Sequence, residues 1–272
     1  METIGFIGLG NLGTAIAQNI QNAGYPMVVY DIREGATKPL LKEGSRLAGA
    51  PDEVASLSDV TFTSLPGPRE VEDVTLGLHG VVNGIKEGGI YVDLSTSRPS
   101  LIRRIGEIFE EKSVKVLDAP VLTSPATAAD RQVVVMPSGD REVYQKLRPL
   151  FDSFADTVVY QGPLGMGSTC KLVNNMITLA VRQVVAEGLT LGVKAGLDLD
   201  SLMEAGNRMV LGHQEEGLRK TVFRGQFDPP SFRQALARKD IGLANELGRE
   251  LNVPMPVANL VEQISIQIGN RG

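Results

Sequence analysis

Gly5-Phe6-Ile7-Gly8-Leu9-Gly10-Asn11-Leu12-Gly13 decides the fold class of this chain. Ile4, Phe6 and Ile7 suit a buried strand. Gly8, Gly10 and Gly13 have the G-x-G-x-x-G spacing, and Thr14 to Ile20 then reads as a helix. Gly8 allows the tight turn, Gly10 lets the backbone approach a pyrophosphate, and Gly13 lets the helix pack closely on the strand. The N–H groups at that helix start favour an anion. Glycine spacing alone is weak, but here a second strand, Met27-Val28-Val29-Tyr30, follows and ends in Asp31, 18 positions after Gly13. An acid at this place accepts hydrogen bonds from a ribose diol and repels a 2′-phosphate, so NAD is expected over NADP. Arg33, two residues on, can pair with a phosphate and keeps NADP as the second option. Gly8, Gly10, Asn11, Leu12, Gly13 and Asp31 form the expected nucleotide-contacting set.

Composition narrows the rest. The 272 residues fit one large or two ordinary domains, and 42% hydrophobic with 22% charged residues is the balance of a soluble globular protein. A net charge of -5 and a pI of about 5.2 provide no basic field for nucleic acid or an anionic membrane. No signal or transit pattern precedes the first strand, so a cytoplasmic enzyme is expected. Cys170 is alone, which excludes an internal disulfide and a C-x-x-C motif. Histidine is scarce: His79 and His213 are far apart, so no catalytic zinc or other metal is expected. No tyrosine has a lysine four residues later. Proton transfer beside a carbinol oxygen is then left to a lysine, a carboxylate or one isolated histidine.

Short apolar runs alternate with helical segments through about the first 160 residues. The expected strands are Ile4 to Ile7, Val28 to Tyr30, Val60 to Leu65, Ile90 to Leu94, Val114 to Leu117, Val133 to Met136 and Val158 to Tyr160. Helices are expected between them at Thr14 to Ala23, Pro51 to Leu57 and Leu101 to Glu111. This alternation predicts an α/β fold with a doubly wound, largely parallel sheet whose ligands bind outside the carboxyl ends of the strands. From Ser168 the strand pattern stops. Leu172 to Ala195 is a long apolar helix, interrupted by Asn174, Asn175, Arg182, Gln183 and Glu187 and so not expected to span a membrane. Further helices are expected at Leu199 to Asn207, Gln214 to Val222, Phe232 to Asn252 and Pro256 to Ile268. The expected division is a nucleotide-binding domain over 1–163 and an all-α domain over 164–272.

At the junction, Gly165-Met166-Gly167-Ser168 leads into Lys171, with Ser168 as the expected helix N-cap. Lys171, Asn174 and Asn175 stand at i, i+3 and i+4 and share one helix face. A partly desolvated lysine would have a lowered pKa suited to acid/base work near neutral pH. An ordinary lysine with its ammonium in solvent has the same spacing, and spacing does not separate the two. Asp93-Leu94-Ser95-Thr96, Asp118-Ala119-Pro120-Val121 and Ser64-Leu65-Pro66-Gly67 end strands and can aim groups into the same cleft, or simply cap backbone groups in loops.

These residues, with Lys239-Asp240-Ile241-Gly242-Leu243-Ala244 near the end, give the whole chain a resemblance to the β-hydroxyacid dehydrogenase family, whose members include 3-hydroxyisobutyrate dehydrogenase. The resemblance implies an N-terminal Rossmann domain and a C-terminal helical domain. It implies Lys171 as the catalytic acid/base, Asn174 and Asn175 beside the substrate, and Thr96 by nicotinamide and substrate. Leu65, Pro66 and Lys239 would lie beside the cofactor, with Asp240 supporting the helical side. A small hydroxyacid or aldehyde substrate and a homodimer or homotetramer are implied as well. The chain departs from the family in two places. Val121 is followed by Leu122-Thr123-Ser124 where the family has Ser-Gly-Gly, so Thr123 and Ser124 would meet the substrate through hydroxyls on a stiffer loop. The chain also ends at Gly272, before the family's usual last helix. Imine reductases resemble this fold, but they generally carry another residue where Lys171 stands. A non-catalytic nucleotide sensor is the reading from another class.

Overall fold

The computed structural model describes residues 2–123, 125–207 and 233–269. The elements run β1 (Ile4–Ile7), α1 (Asn11–Asn22), β2 (Met27–Tyr30), α2 (Lys38–Lys42), β3 (Arg46–Leu47), α3 (Pro51–Ser56), β4 (Val60–Thr63), α4 (Pro68–Leu76), α5 (Val81–Gly84) and β5 (Ile90–Asp93). They continue with α6 (Pro99–Glu110), β6 (Lys115–Asp118), β7 (Val121–Leu122), α7 (Pro125–Ala128), β8 (Val134–Val135), β9 (Ser138–Gly139), α8 (Arg141–Phe154) and β10 (Thr157–Val158). Helices follow: α9 (Met166–Lys194), α10 (Leu199–Asn207), α11 (Gln234–Glu250) and α12 (Pro256–Gly269). Two compact units divide the chain, Met1–Leu172 and Val173–Gly272.

The first unit is built on a seven-stranded sheet in the order β3-β2-β1-β4-β5-β6-β9, parallel except for the β6–β9 pair. Strand order reverses at β1, so the chain leaves β1 and β4 toward opposite faces and opens a crevice at their carboxyl ends. The register keeps those ends level: Ile7 pairs with Tyr30 and Thr63, Thr63 with Asp93, and Asp93 with Asp118. Three of these strands, β1, β4 and β5, are buried along their whole length and β6 is buried after Lys115, which is why their sequences are mainly apolar runs rather than alternating ones. On one face Phe6 stacks on Phe62, which meets Phe151 and Phe154 edge-on. On the other, Tyr91 stacks on Phe109. Each fully buried phenylalanine contributes roughly 1.5–3 kcal/mol of burial free energy.

The expected strands Val133 to Met136 and Val158 to Tyr160 are each reduced to two residues and lie outside this sheet. With β7 they make a separate three-stranded sheet in the order β10-β8-β7. Pro120 and Pro137 flank β7 and β8 and cannot donate to a ladder, which keeps the strands short.

Helix α9 begins at Met166 rather than Leu172, so the expected cap Ser168 lies inside the first turn and is buried. In the second unit, Ile241, Ala258 and Val261 of α11 and α12 pack with Met176, Leu179 and Ala180 of α9, and Met203 of α10 packs with Val185 and Leu189. Val173, Ile177, Val184 and Leu191 of α9 are exposed. By length and composition alone α9 is long and apolar enough to cross a membrane. The expected helix at Gln214 to Val222, His213 and Ser124 lie outside the described residues.

Candidate active site

The turn between β1 and α1 is held by its glycines. Gly8 has φ +94 and its N–H donates to the Tyr30 carbonyl at 3.0 Å. A Cβ there would lie 2.3 Å from the Ser64 carbonyl oxygen. At Gly13 a Cβ would lie 2.1 Å from the Gly8 carbonyl oxygen, so the helix presses directly on the turn. Gly10 is different. A Cβ there meets nothing within 4 Å, leaving open space in front of the helix start. α1 has no side-chain cap at Gly10 and no acidic residue in its first turn, so its free N–H groups and positive dipole end are offered outward. These features fit a pyrophosphate.

Asp31, at the end of β2, accepts from the Leu9 N–H at 2.6 Å. Arg33 pairs with it, Nε to Oδ1 at 3.1 Å, and also donates from Nη2 to the Leu9 carbonyl at 3.0 Å. Burial works against the charge on Asp31. Hydrogen bonds from the Arg33 side chain and from the N–H groups of Arg33 and Leu9 outweigh it and hold the carboxyl below the usual carboxylate range. The acid is therefore ionised and oriented beside the glycine turn. Arg33 bridges it to that turn, a contact that the two-residue spacing suggested only as a phosphate partner.

The loops after β4 and β5 are tied together. Asp93 accepts from Thr63 Oγ1 at 2.8 Å and from the Ser95 N–H at 3.1 Å, and Ser95 Oγ accepts from the Leu65 N–H at 2.9 Å. This fixes the segments that carry Leu65, Pro66 and Thr96 beside the glycine turn. Pro66 is exposed and Leu65 and Thr96 are half-buried.

Lys171 is half-buried, and its Nζ donates to the Val121 carbonyl at 2.7 Å, at the start of β7. Next to this acceptor, Thr123 Oγ1 donates to the Gln132 carbonyl at 2.9 Å and lies 3.1 Å from Thr127 Oγ1. The Thr123 hydroxyl thus bonds within its own loop. Asp118, which ends β6, is fully buried. Burial pushes its carboxyl up to about 7 despite hydrogen bonds from the Ser168 N–H and hydroxyl; neighbouring Asp93 raises it further and the Ser138 hydroxyl lowers it.

In the second unit Asn174, Asn175 and Lys239 come together around the buried Asp240. Asn175 Nδ2 donates to Asp240 Oδ2 at 2.7 Å, Asn174 Nδ2 donates to Asn175 Oδ1 at 3.3 Å, and Lys239 Nζ is 3.0 Å from Asp240 Oδ1. Asp240 therefore sets which way the Asn175 carboxamide faces. That role follows from the fold: 65 residues separate the pair, and only the tertiary packing of α9 on α11 brings them together.

Known proteins resemble the chain over nearly its whole length. Residues 3–162 match the family described as the NAD binding domain of 6-phosphogluconate dehydrogenase, and residues 165–272 match the NAD-binding region of NADP-dependent 3-hydroxyisobutyrate dehydrogenase. The chain is 32% identical to the 2-(hydroxymethyl)glutarate dehydrogenase of Eubacterium barkeri, over 96% of this chain and 87% of the relative. It is 30% identical to the mitochondrial 3-hydroxyisobutyrate dehydrogenase of Mus musculus, over 99% of this chain and 82% of the relative. Among solved structures it shares its fold with the 3-hydroxyisobutyrate dehydrogenase of Mycobacterium tuberculosis, solved with L-serine. The TM-score is 0.90 at 24% identity, covering 99% of this chain and 94% of that one.

Proposed function

The chain belongs to the β-hydroxyacid dehydrogenase family and is an NAD(P)-dependent oxidoreductase; from that premise we propose that it interconverts a small β-hydroxyacid of the 3-hydroxyisobutyrate kind and its semialdehyde or oxoacid, with Lys171 as acid/base and NAD preferred. The observation that carries this reading is the half-buried Lys171 ammonium fixed on the Val121 carbonyl, just beyond the carboxyl end of β6. The nicotinamide cofactor supplies the hydride acceptor or donor when bound. Gly8, Gly10, Asn11, Leu12 and Gly13 hold its pyrophosphate at the start of α1, Asp31 takes the adenosine ribose, and Leu65, Pro66, Thr96 and Lys239 contribute the remaining contacts.

In the oxidising direction neutral Lys171 accepts the hydroxyl proton at Nζ while hydride leaves the carbinol carbon, and the C–O bond becomes a carbonyl. In the reducing direction the ammonium returns that proton to the forming alkoxide, which its charge also stabilises. The Val121 carbonyl accepts a hydrogen bond from Nζ in either protonation state and so keeps it aimed. Asn174 and Asn175 place the substrate, with Asp240 orienting the Asn175 carboxamide, and Thr123 and Ser124 border its head group.

A panel of β-hydroxyacids and semialdehydes, followed at the nicotinamide absorbance with both cofactors, tests this. At least one three- to five-carbon β-hydroxyacid should turn over with NAD ahead of NADP, and a panel with no turnover defeats the substrate assignment. Run beside it, Asp31→Ala should lower kcat/KM for NAD by about tenfold, the scale of losing a hydrogen-bonded charge, and shift preference toward NADP. An unchanged cofactor ratio removes Asp31 from the ribose.

The exposed Val173, Ile177, Val184 and Leu191 of α9 are the face through which we expect copies to associate as a homodimer or homotetramer. Light scattering after size exclusion should give a multiple of 29.2 kDa. A monomer at micromolar concentration would refute the assembly.

A further inference from the structure

We propose that Asp118 is a positioning residue for the proton-transfer step: by gripping the first turn of α9 it seats Lys171 Nζ on the Val121 carbonyl. This rests on the reading of Lys171 as acid/base.

The grip consists of three hydrogen bonds to one buried carboxylate. Asp118 Oδ2 accepts from the Ser168 N–H at 2.7 Å and from the Ser138 hydroxyl at 3.2 Å, and Oδ1 accepts from the Ser168 hydroxyl at 2.9 Å. Ser138 Oγ in turn accepts from the Gly167 N–H at 2.9 Å. The first N–H groups of a helix have no acceptor within it. Two consecutive ones of α9 are thus satisfied by side chains of β6 and β9. The approach is close: a Cβ on Gly167 would sit 2.4 Å from the Met136 carbonyl oxygen and 2.8 Å from that of Asp118. Translation or rotation of the turn would break these bonds or drive its backbone into the strands.

Lys171 follows Ser168 by three residues, on the same side of the helix and about 4.5 Å further along the axis. Its acceptor Val121 follows Asp118 by three residues in the other segment. The stretch from Asp118 to Val121 therefore holds the helix at its start and the lysine at its tip. A neutral side chain would cap the turn more cheaply than a buried carboxylate. With an acceptor oxygen on each arm of the carboxyl, Asp118 takes all three donors at once. The carboxyl pushed up to about 7 records the cost of keeping it there.

Three full-length variants test the proposal: Asp118→Asn, Ser168→Ala and Lys171→Ala. Asp118→Asn keeps the shape and turns one acceptor into a donor. It should lower kcat by about 10- to 100-fold, the range expected for residues coupled through one network, while KM and the NAD dissociation constant change less than about threefold. Ser168→Ala should lower kcat in the same direction by about 3- to 10-fold. A crystal structure of Asp118→Asn should have Lys171 Nζ displaced from the Val121 carbonyl. A merely structural role predicts a lower melting temperature with kcat intact. Wild-type kcat in Asp118→Asn, or Nζ still at the Val121 carbonyl despite a lowered kcat, overturns the proposal. If Asp118→Asn does not fold, an unchanged kcat in Ser168→Ala overturns it instead. Lys171→Ala separates the two readings. Its inactivity beside a fully active Asp118→Asn leaves the acid/base standing and removes only the positioning role, whereas full activity of Lys171→Ala removes the acid/base itself.

Discussion

Lys171→Ala is expected to lower kcat by about a thousandfold, within the range for loss of a general acid/base, while the NAD dissociation constant moves less than threefold. The residue sits on the Val121 carbonyl, past the end of β6, whereas the proposed nucleotide contacts are at the glycine turn and Asp31, so chemistry and cofactor affinity should separate. The titratable groups that end neighbouring strands cannot substitute. Asp93 and Asp118 are fully buried; Asp93 Oδ1 accepts from Thr63 and Ser95, and the two Asp118 oxygens between them accept from Ser138 and Ser168. Lys171→Arg sharpens the test. Arginine keeps the positive charge but does not deprotonate at any working pH, so it cannot accept the hydroxyl proton. Oxidation should fail in both variants. Recovery with arginine would mean that charge alone is needed, and wild-type turnover in the alanine variant would end the assignment.

Gly8→Ala should damage both stability and cofactor binding. The backbone there has φ +94, which a non-glycine residue adopts at a cost, and the new Cβ would be 2.3 Å from a backbone oxygen that cannot rotate away. The turn must shift from β4 and lose its register with Tyr30. A loss of about 3 kcal/mol, or roughly 10 °C in Tm, is expected, with NAD affinity down at least about 100-fold. Gly10→Ala is the control. Its φ of -65 suits alanine and its Cβ meets no protein atom within 4 Å. That variant should melt near wild type and still lose NAD affinity, because the added methyl occupies the space in front of the helix start. Calorimetry with fluorescence titration reads both quantities. Equal melting and equal affinity for Gly8→Ala would contradict the steric argument, and unchanged affinity for Gly10→Ala would remove the pyrophosphate from that space.

The sheet was legible because its central strands are buried on both faces and therefore read as apolar runs bounded by glycine and proline. β1, β2, β4, β5 and β6 fall within a few residues of the expected runs. Of the two-residue strands, β8 and β10 overlap expected runs, whereas β3, β7 and β9 were not legible. β3 is an exposed edge, and β7 and β9 take their pairing from tertiary contacts that no local pattern encodes. The short helices α2, α5 and α7 are likewise too brief to establish a 3.6-residue period. At the site, the glycine turn and Asp31 could be read from spacing, since both belong to one local βαβ unit. Ser168 was misplaced as a cap. A serine before an apolar run reads as an N-cap, yet Met166 and Gly167 already belong to the helix and the cap comes from a strand 50 residues earlier. Asp118 carried a weak signal, an acid closing an apolar strand, which marks a buried partner without naming it, whereas Asp240 follows Arg238 and Lys239 and was singled out only by the family resemblance.

The place where α9 starts has a consequence for anyone dissecting the protein. The family matches meet between residues 162 and 165, but the compact unit containing the sheet extends to Leu172. A recombinant fragment cut at the family boundary would amputate Gly167 and Ser168 and leave the Asp118 carboxylate facing an empty socket, stripped of two of its three donors. Such a fragment should precipitate or take up a proton to survive, whereas one ending after Leu172 retains every partner of that acid.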